Sequence, residues 1–220
     1  MNKIKLLLTL LLFLNKGMMA QVPVSQEPMH RPVFQNKYVR ILDVLVPPHD
    51  TTQFHIHSIP SFFLTISGNA IASQVKGGEW VKEQMVPGNS WYRSFSPDSL
   101  VHRVANLESA PFHVFDIELL SAYDSSNLTV IQPLPFPVQY DNEKAIVCRL
   151  SNIDKPVPVK SSQPAIAIVV KGDHLRFTDT GTNQTKTLLS GQYLYIEPGT
   201  SFYIAASEKK EAMVMLFQIK

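Results

Sequence analysis

Residues 51–68 read TTQFHIHSIPSFFLTISG, and within them His55 and His57 are separated by a single residue. Thr52, Phe54, Ile56 and Ser58 alternate with Gln53, His55 and His57, which is the period of a β-strand. Alternate residues on a strand are near neighbours on one face, so two imidazoles placed this way reach the same ion. A third donor must come from another strand. His102, in LVHRVAN, is the candidate, because it shares a face with Val104 and Asn106. The expected chemistry is a metal ion held by His55, His57 and His102. Gln53 falls on the histidine face and is expected as a fourth ligand or as a hydrogen-bond partner behind the ligands.

Residues that would meet a substrate are sought beside those histidines. In SWYRSFS, residues 90–96, Trp91, Arg93 and Phe95 alternate with Tyr92 and Ser94, so one of the two faces lines the interior. Arg93 presents the planar fork of donors that suits a carboxylate, and Trp91 and Tyr92 are the aromatic candidates beside it. No general base is evident. Glu79 and Glu83 flank a hairpin, and Asp116 and Glu118 alternate with His113 in FHVFDIELL, so none is assigned a catalytic role. His49 follows two prolines and reads as a turn residue, His113 as structural, and His30 and His174 as surface residues. Phe54, Phe62 and Phe63 read as packing, and Asn106 as a residue that holds a loop. Cys148, the only cysteine, lies in the apolar run AIVCRL and reads as buried and inert.

The elements that must position these side chains are strands. Between residues 34 and 120, apolar alternating runs are cut at regular intervals by turn residues such as Pro47-Pro48, Gly77-Gly78, Pro87-Gly88 and Pro97-Asp98. About eight strands result, which is a barrel or sandwich pattern. Residues 122–142 carry Pro133, Pro135 and Pro137 and are expected as a linker. The organisation then repeats. Gln163-Pro164 followed by AIAIVVKG echoes Ile59-Pro60 followed by SFFLTISG, and Glu197-Pro198-Gly199 echoes Ser96-Pro97-Asp98. The ligands do not repeat: the alignment sets Val159, Ser161 and Tyr203 where the first half has His55, His57 and His102.

Residues 1–20 read as a secretory signal, with Lys3 and Lys5, the apolar run LLLTLLLFL and a small-residue end at Ala20. The mature chain is therefore expected to be secreted or periplasmic, with no membrane attachment after cleavage. Residues 21–33 are expected as an extended N-terminal arm, 34–121 as the first domain and 143–220 as the second. Removing the signal, with three lysines and no acid, takes the formal charge from +2 to −1. A near-neutral surface without a basic run gives no reason to expect a nucleic acid partner. Asn127-Leu128-Thr129 and Asn183-Gln184-Thr185 match the weak N-glycosylation pattern.

These motifs resemble those of the cupin superfamily, and the duplication resembles a bicupin. The first cupin motif runs Gly, five residues, His-x-His, three or four residues, Glu, six residues, Gly. Here His49 stands at the first Gly, His55 and His57 match, Ser61 stands at the Glu and Gly68 matches. Of the second motif Pro97, His102 and Asn106 match, and Ser99 replaces a Gly. The resemblance implies an all-β fold of two tandem double-stranded β-helix, or jelly-roll, barrels with the metal inside the first. With Ser61 at the Glu position the site resembles the three-His cupins, such as thiol dioxygenases. Such a site is neutral and leaves the ion open positions. The implied cofactor is a divalent transition metal, one of Fe, Zn, Ni, Mn or Cu. The implied function is binding or transformation of a small carboxylate, hydroxy compound or sugar by oxygenase, isomerase or lyase chemistry. The alternative is a non-catalytic binding protein whose metal is structural or anchors the ligand. The expected partners are a small-molecule ligand and, as a second candidate, another copy of the chain in a homodimer.

Overall fold

The computed structural model describes residues 21–124, 126, 134–206 and 211–220. The expected signal segment, the acceptor Asn127 and residues 125 and 127–133 of the expected linker lie outside them. Every long element is a strand. The one helical turn, Val24–Gln26, is a 3₁₀ turn, and no α-helix occurs among the described residues. Among those residues, no helix is long and apolar enough to cross a membrane.

The first half contributes ten strands: β1 (Val22–Pro23), β2 (His30–Gln35), β3 (Val39–Val46), β4 (His55–His57), β5 (Ser61–Thr65), β6 (Ala70–Val75), β7 (Trp80–Gln84), β8 (Ser90–Arg93), β9 (Leu100–Asn106) and β10 (Phe112–Leu119). They form two sheets, ordered β1-β4-β9-β6-β7 and β2-β3-β10-β5-β8. The second half contributes β11 (Val138–Asp141), β12 (Ala145–Ser151), β13 (Val157–Lys160), β14 (Ala165–Lys171), β15 (Leu175–Asp179), β16 (Thr185–Leu188), β17 (Tyr193–Ile196), β18 (Ser201–Ala205) and β19 (Met213–Ile219). Their sheets run β11-β12-β19-β14-β17 and β13-β18-β15-β16. The two halves share one topology, strand for strand, except that β1 has no counterpart.

Strand alternation divides the labour inside the β2-β3-β10-β5-β8 sheet. One set of side chains, Val39, Ile41, Phe62, Leu64, Phe115 and Ile117, faces the second half. It meets Val147, Ile166, Ile168, Met215 and Phe217, so the two barrels share a single apolar core. The opposite set, Val44, Val46, Phe112, Val114 and Phe63, faces the interior of the first barrel. The barrels approach so closely that two glycines are obligatory. A Cβ on Gly88 (φ +84°) would lie 2.5 Å from Met213 Sδ, and one on Gly191 (φ +76°) 2.7 Å from His113 Cε1. His113 is held at this seam by Asp43, at 2.7 Å from its Nε2.

Two segments expected to lie outside the barrels join them as strands. Residues 21–33 are extended, as expected, and are part of the first barrel. Val22 pairs in parallel with His55, and β2 pairs with β3 from His30 onward. Pro23, Pro28 and Pro32 obscured the strands, but β2 is an edge strand whose register slips at Pro32, and an edge tolerates proline. The end of the expected linker is likewise the exposed edge strand β11, paired with β12.

Candidate metal centre

The two histidine strands lie side by side. β4 pairs antiparallel with β9, and His55 stands directly opposite His102. His57 follows on the same face, and its ring is pressed flat on Phe95, with centroids 5.0 Å apart and planes 13° from parallel. Phe95 reaches that position through the left-handed region, at φ +52°, a conformation that costs a non-glycine residue on the order of 1 kcal/mol. His57 Nε2 lies 3.1 Å from the Nε2 atoms of both His55 and His102. The rings of His55 and His102 are 4.7 Å apart, centroid to centroid.

The second ring nitrogen fixes the proton of His55. His55 Nδ1 donates to the Gln53 carbonyl at 2.9 Å, so its Nε2 carries a lone pair. His57 Nδ1 faces Asp116 Oδ2 at 3.4 Å, and the Ser61 side chain also lies against that buried carboxylate. Burial drives His55 and His57 down to about 3 and His102 to about 2, with neighbouring imidazoles adding to the effect. All three are therefore neutral near pH 7. Neutral rings whose Nε2 atoms stand 3.1 Å apart can each turn a lone pair toward a cation placed among them. Imidazole nitrogens bound to one ion at about 2.1 Å stand about 3.0–3.4 Å apart when adjacent, so the donors present fit a metal.

A fourth imidazole joins them. His30, expected on the surface, is 6% exposed, and its ring centroid lies 4.4 Å from that of His55. Its Nδ1 is held 2.6 Å from Glu27 Oε2. Glu27 is also buried. Burial raises its pKa, but the hydrogen bonds from His30 and the Gln53 N–H outweigh burial and hold it below the usual range.

Gln53 itself does not share the histidine face. Thr51 bridges to Ala105 while His55 pairs with His102, so the register slips by one residue between them. That slip breaks the period of two and turns the Gln53 side chain to solvent. Its backbone does the work instead, accepting from His55 and donating to Glu27 Oε1 at 3.0 Å.

The histidines open on a cavity of about 190 Å³. Val46, Leu100, Phe112 and Met85 make its walls largely apolar, with Arg93 and Glu83 as charged members. Trp91 and Arg93 line it, as does Phe63, which stacks on Trp91 and is more than packing. Tyr92 points the other way, into the seam, where it packs on Phe62 and reaches Glu143. Ser61 is buried and donates its hydroxyl to the Ile59 carbonyl. Glu118 is buried and paired with Arg40. Asn106 donates to the carbonyls of Val46, Pro47 and Ala110, and so holds the loops below the site. His49 takes a positive φ of 58°, as the motif glycine it replaces would.

Neither protein-family profiles nor curated proteins match this sequence. Solved structures do match its shape. A cupin 2 conserved barrel domain protein from Leptotrichia buccalis superposes with a TM-score of 0.55 at 11% identity, covering 96% of this chain and 94% of that one. The chain has the two-barrel cupin fold. Protein Ylba from E. coli matches at a TM-score of 0.61 and 11% identity, over 92% of this chain and 88% of that one. A salicylate 1,2-dioxygenase from Pseudaminobacter salicylatoxidans matches at 0.59 and 14% identity, over 95% and 80%.

Within this bicupin only the first barrel carries the histidines. In the second, β13 pairs with β18 so that Val159 stands opposite Phe202. Both are buried in an apolar core, where the first barrel has His55 opposite His102. Tyr203, which the motif alignment set on His102, is exposed; the loop after Pro97 is one residue longer than that after Pro198.

Proposed function

We propose that this exported bicupin holds one divalent transition metal on His55, His57 and His102 and presents it to a small organic acid in the cavity of the first barrel. The observation that carries this reading is the convergence of three Nε2 atoms at 3.1 Å contacts, with the Nδ1 of His55 held by the Gln53 carbonyl and that of His57 facing Asp116. The walls combine apolar side chains with the Arg93 guanidinium. An apolar acid with its carboxylate toward Arg93 satisfies both the walls and the guanidinium. When bound, the metal supplies Lewis-acid or oxygen-activating chemistry. The protein supplies neutral ligands, a dry cavity and the buried Asp116 carboxylate behind His57.

Elemental analysis of the purified protein beside a His55→Ala/His57→Ala/His102→Ala variant tests the metal. About one ion per chain, lost in the variant, is expected; no metal in either protein after reconstitution refutes the reading. Turnover of a panel of aliphatic and aromatic acids, in air and without it, then separates an enzyme from a binding protein. One fold neighbour is by name a dioxygenase, which is the reason for the oxygen arm.

A further inference from the structure

We infer that the metal centre takes four imidazoles, with His30 of the N-terminal strand as the fourth donor. This rests on the metal reading above and goes beyond it, since neither motif of the barrel contains His30. One ring nitrogen from each of His30, His55 and His57 lies within 4.8 Å of the others. Glu27 occupies Nδ1 of His30, so the nitrogen left for an ion is Nε2. Two nitrogens on opposite sides of one ion are about 4.2 Å apart, so the spacing of His30 to His55 and His57 is near what one ion spans, and His102 joins the group through its 3.1 Å contact with His57.

The surroundings of His30 are built like those of the other ligands. Glu27 is 2% exposed and accepts from His30 Nδ1, the Met29 N–H and the Gln53 N–H. The Gln53 peptide thus orients two imidazoles at once, His30 through Glu27 and His55 through its own carbonyl. The pairing of Val22 with His55 ties the same N-terminal segment to the ligand strand. A carboxylate and an imidazole buried together are costly to desolvate unless their remaining valences are used. Coordination by Nε2 uses the last of them. Ser61 gives its hydroxyl to the Ile59 carbonyl, and His30 brings an imidazole from β2, the edge strand of the same sheet. An ion that takes five or six ligands keeps open positions beside four imidazoles. Zinc, usually four-coordinate, is saturated by them.

Zinc is therefore the probe. Histidine-ring ¹⁵N spectra of the metal-free protein are recorded before and after one equivalent of Zn²⁺. Four Nε2 resonances, those of His30, His55, His57 and His102, are expected to move from the unprotonated to the metal-bound range. Movement of three, with His30 unchanged, overturns the inference and leaves the three-histidine reading standing. Movement of none overturns both. In His30→Ala, zinc affinity is expected to fall at least about tenfold while the other three resonances still move; in Glu27→Gln the fall is also about tenfold. Unchanged affinity in His30→Ala overturns the inference. Should that variant fail to fold, the spectrum of the unaltered protein decides alone.

Discussion

Removing the metal should make this protein sensitive to mild acid, by an amount that follows from the burial of three imidazoles. A histidine whose folded pKa is depressed adds stability that is fully present above its unfolded value, 6.5, and is lost as pH falls toward the folded value. For His55 and His57 the window runs from 6.5 to about 3, and for His102 from 6.5 to about 2. At 1.36 kcal/mol per pH unit, each histidine contributes a loss of about 2 kcal/mol between pH 7 and pH 5, so the three together contribute about 6. Asp116 works against them. Burial raises its pKa from 3.8 to about 7, so its ionisation destabilises the fold as pH rises through that window. Lowering the pH from 7 to 5 returns about 2 kcal/mol. The net loss is roughly 4 kcal/mol, a large part of the stability of an ordinary domain. Urea denaturation of the metal-stripped protein at pH 7, 6 and 5 measures it. His102→Leu should remove about 2 kcal/mol of the pH dependence, and Asp116→Asn should steepen it by about 2. Stability that is flat or rising from pH 7 to 5, or a His102→Leu slope equal to that of the unaltered protein, would refute the claim that these rings are buried and neutral without an ion.

Asp116→Asn should also weaken metal binding about 10- to 100-fold in a chelator competition at pH 7, because the group facing His57 Nδ1 loses its charge. Arg93→Met should weaken binding of carboxylate ligands about 10- to 100-fold by calorimetry, while neutral analogues bind as before. Phe62→Ala empties a fully buried site between the barrels and should cost about 3–5 kcal/mol. Because Phe62 contacts Phe217 of the other half, calorimetry should show both barrels weakened together rather than the first alone.

The scaffold was legible because its signals are local. Turn residues and period-two alternation mark the strands of the first half, and the echo of residues 59–68 in 163–172 marks the duplication. The trio His55, His57 and His102 was legible because both the spacing within a strand and the pairing of the two strands follow from parity. The rest of the site was hidden where parity fails or where partners are remote. Gln53 was misplaced by a one-residue slip that no residue type announces. His30 and Glu27 sat in a proline-bearing stretch that joins the barrel only as an edge. Asp116 was judged against His113, its out-facing neighbour. The better signal was its alternation with Phe112, Val114 and Glu118, a buried face on which a carboxylate is unusual.

The same alternation explains how one half could lose its ligands while the protein kept its architecture. On β3, β5 and β10 the out-facing residues build the shared core between barrels, and the in-facing residues build the interior of one barrel. A change on one face does not touch the other. In the second barrel the in-facing pair Val159 and Phe202 fills with apolar volume the place where the first barrel keeps two unprotonated imidazoles. The filled barrel gains packing and gives up a site; the first barrel keeps buried polar groups that destabilise it unless an ion is bound. The two barrels thus differ in their in-facing residues, while the out-facing residues of both build the seam that joins them.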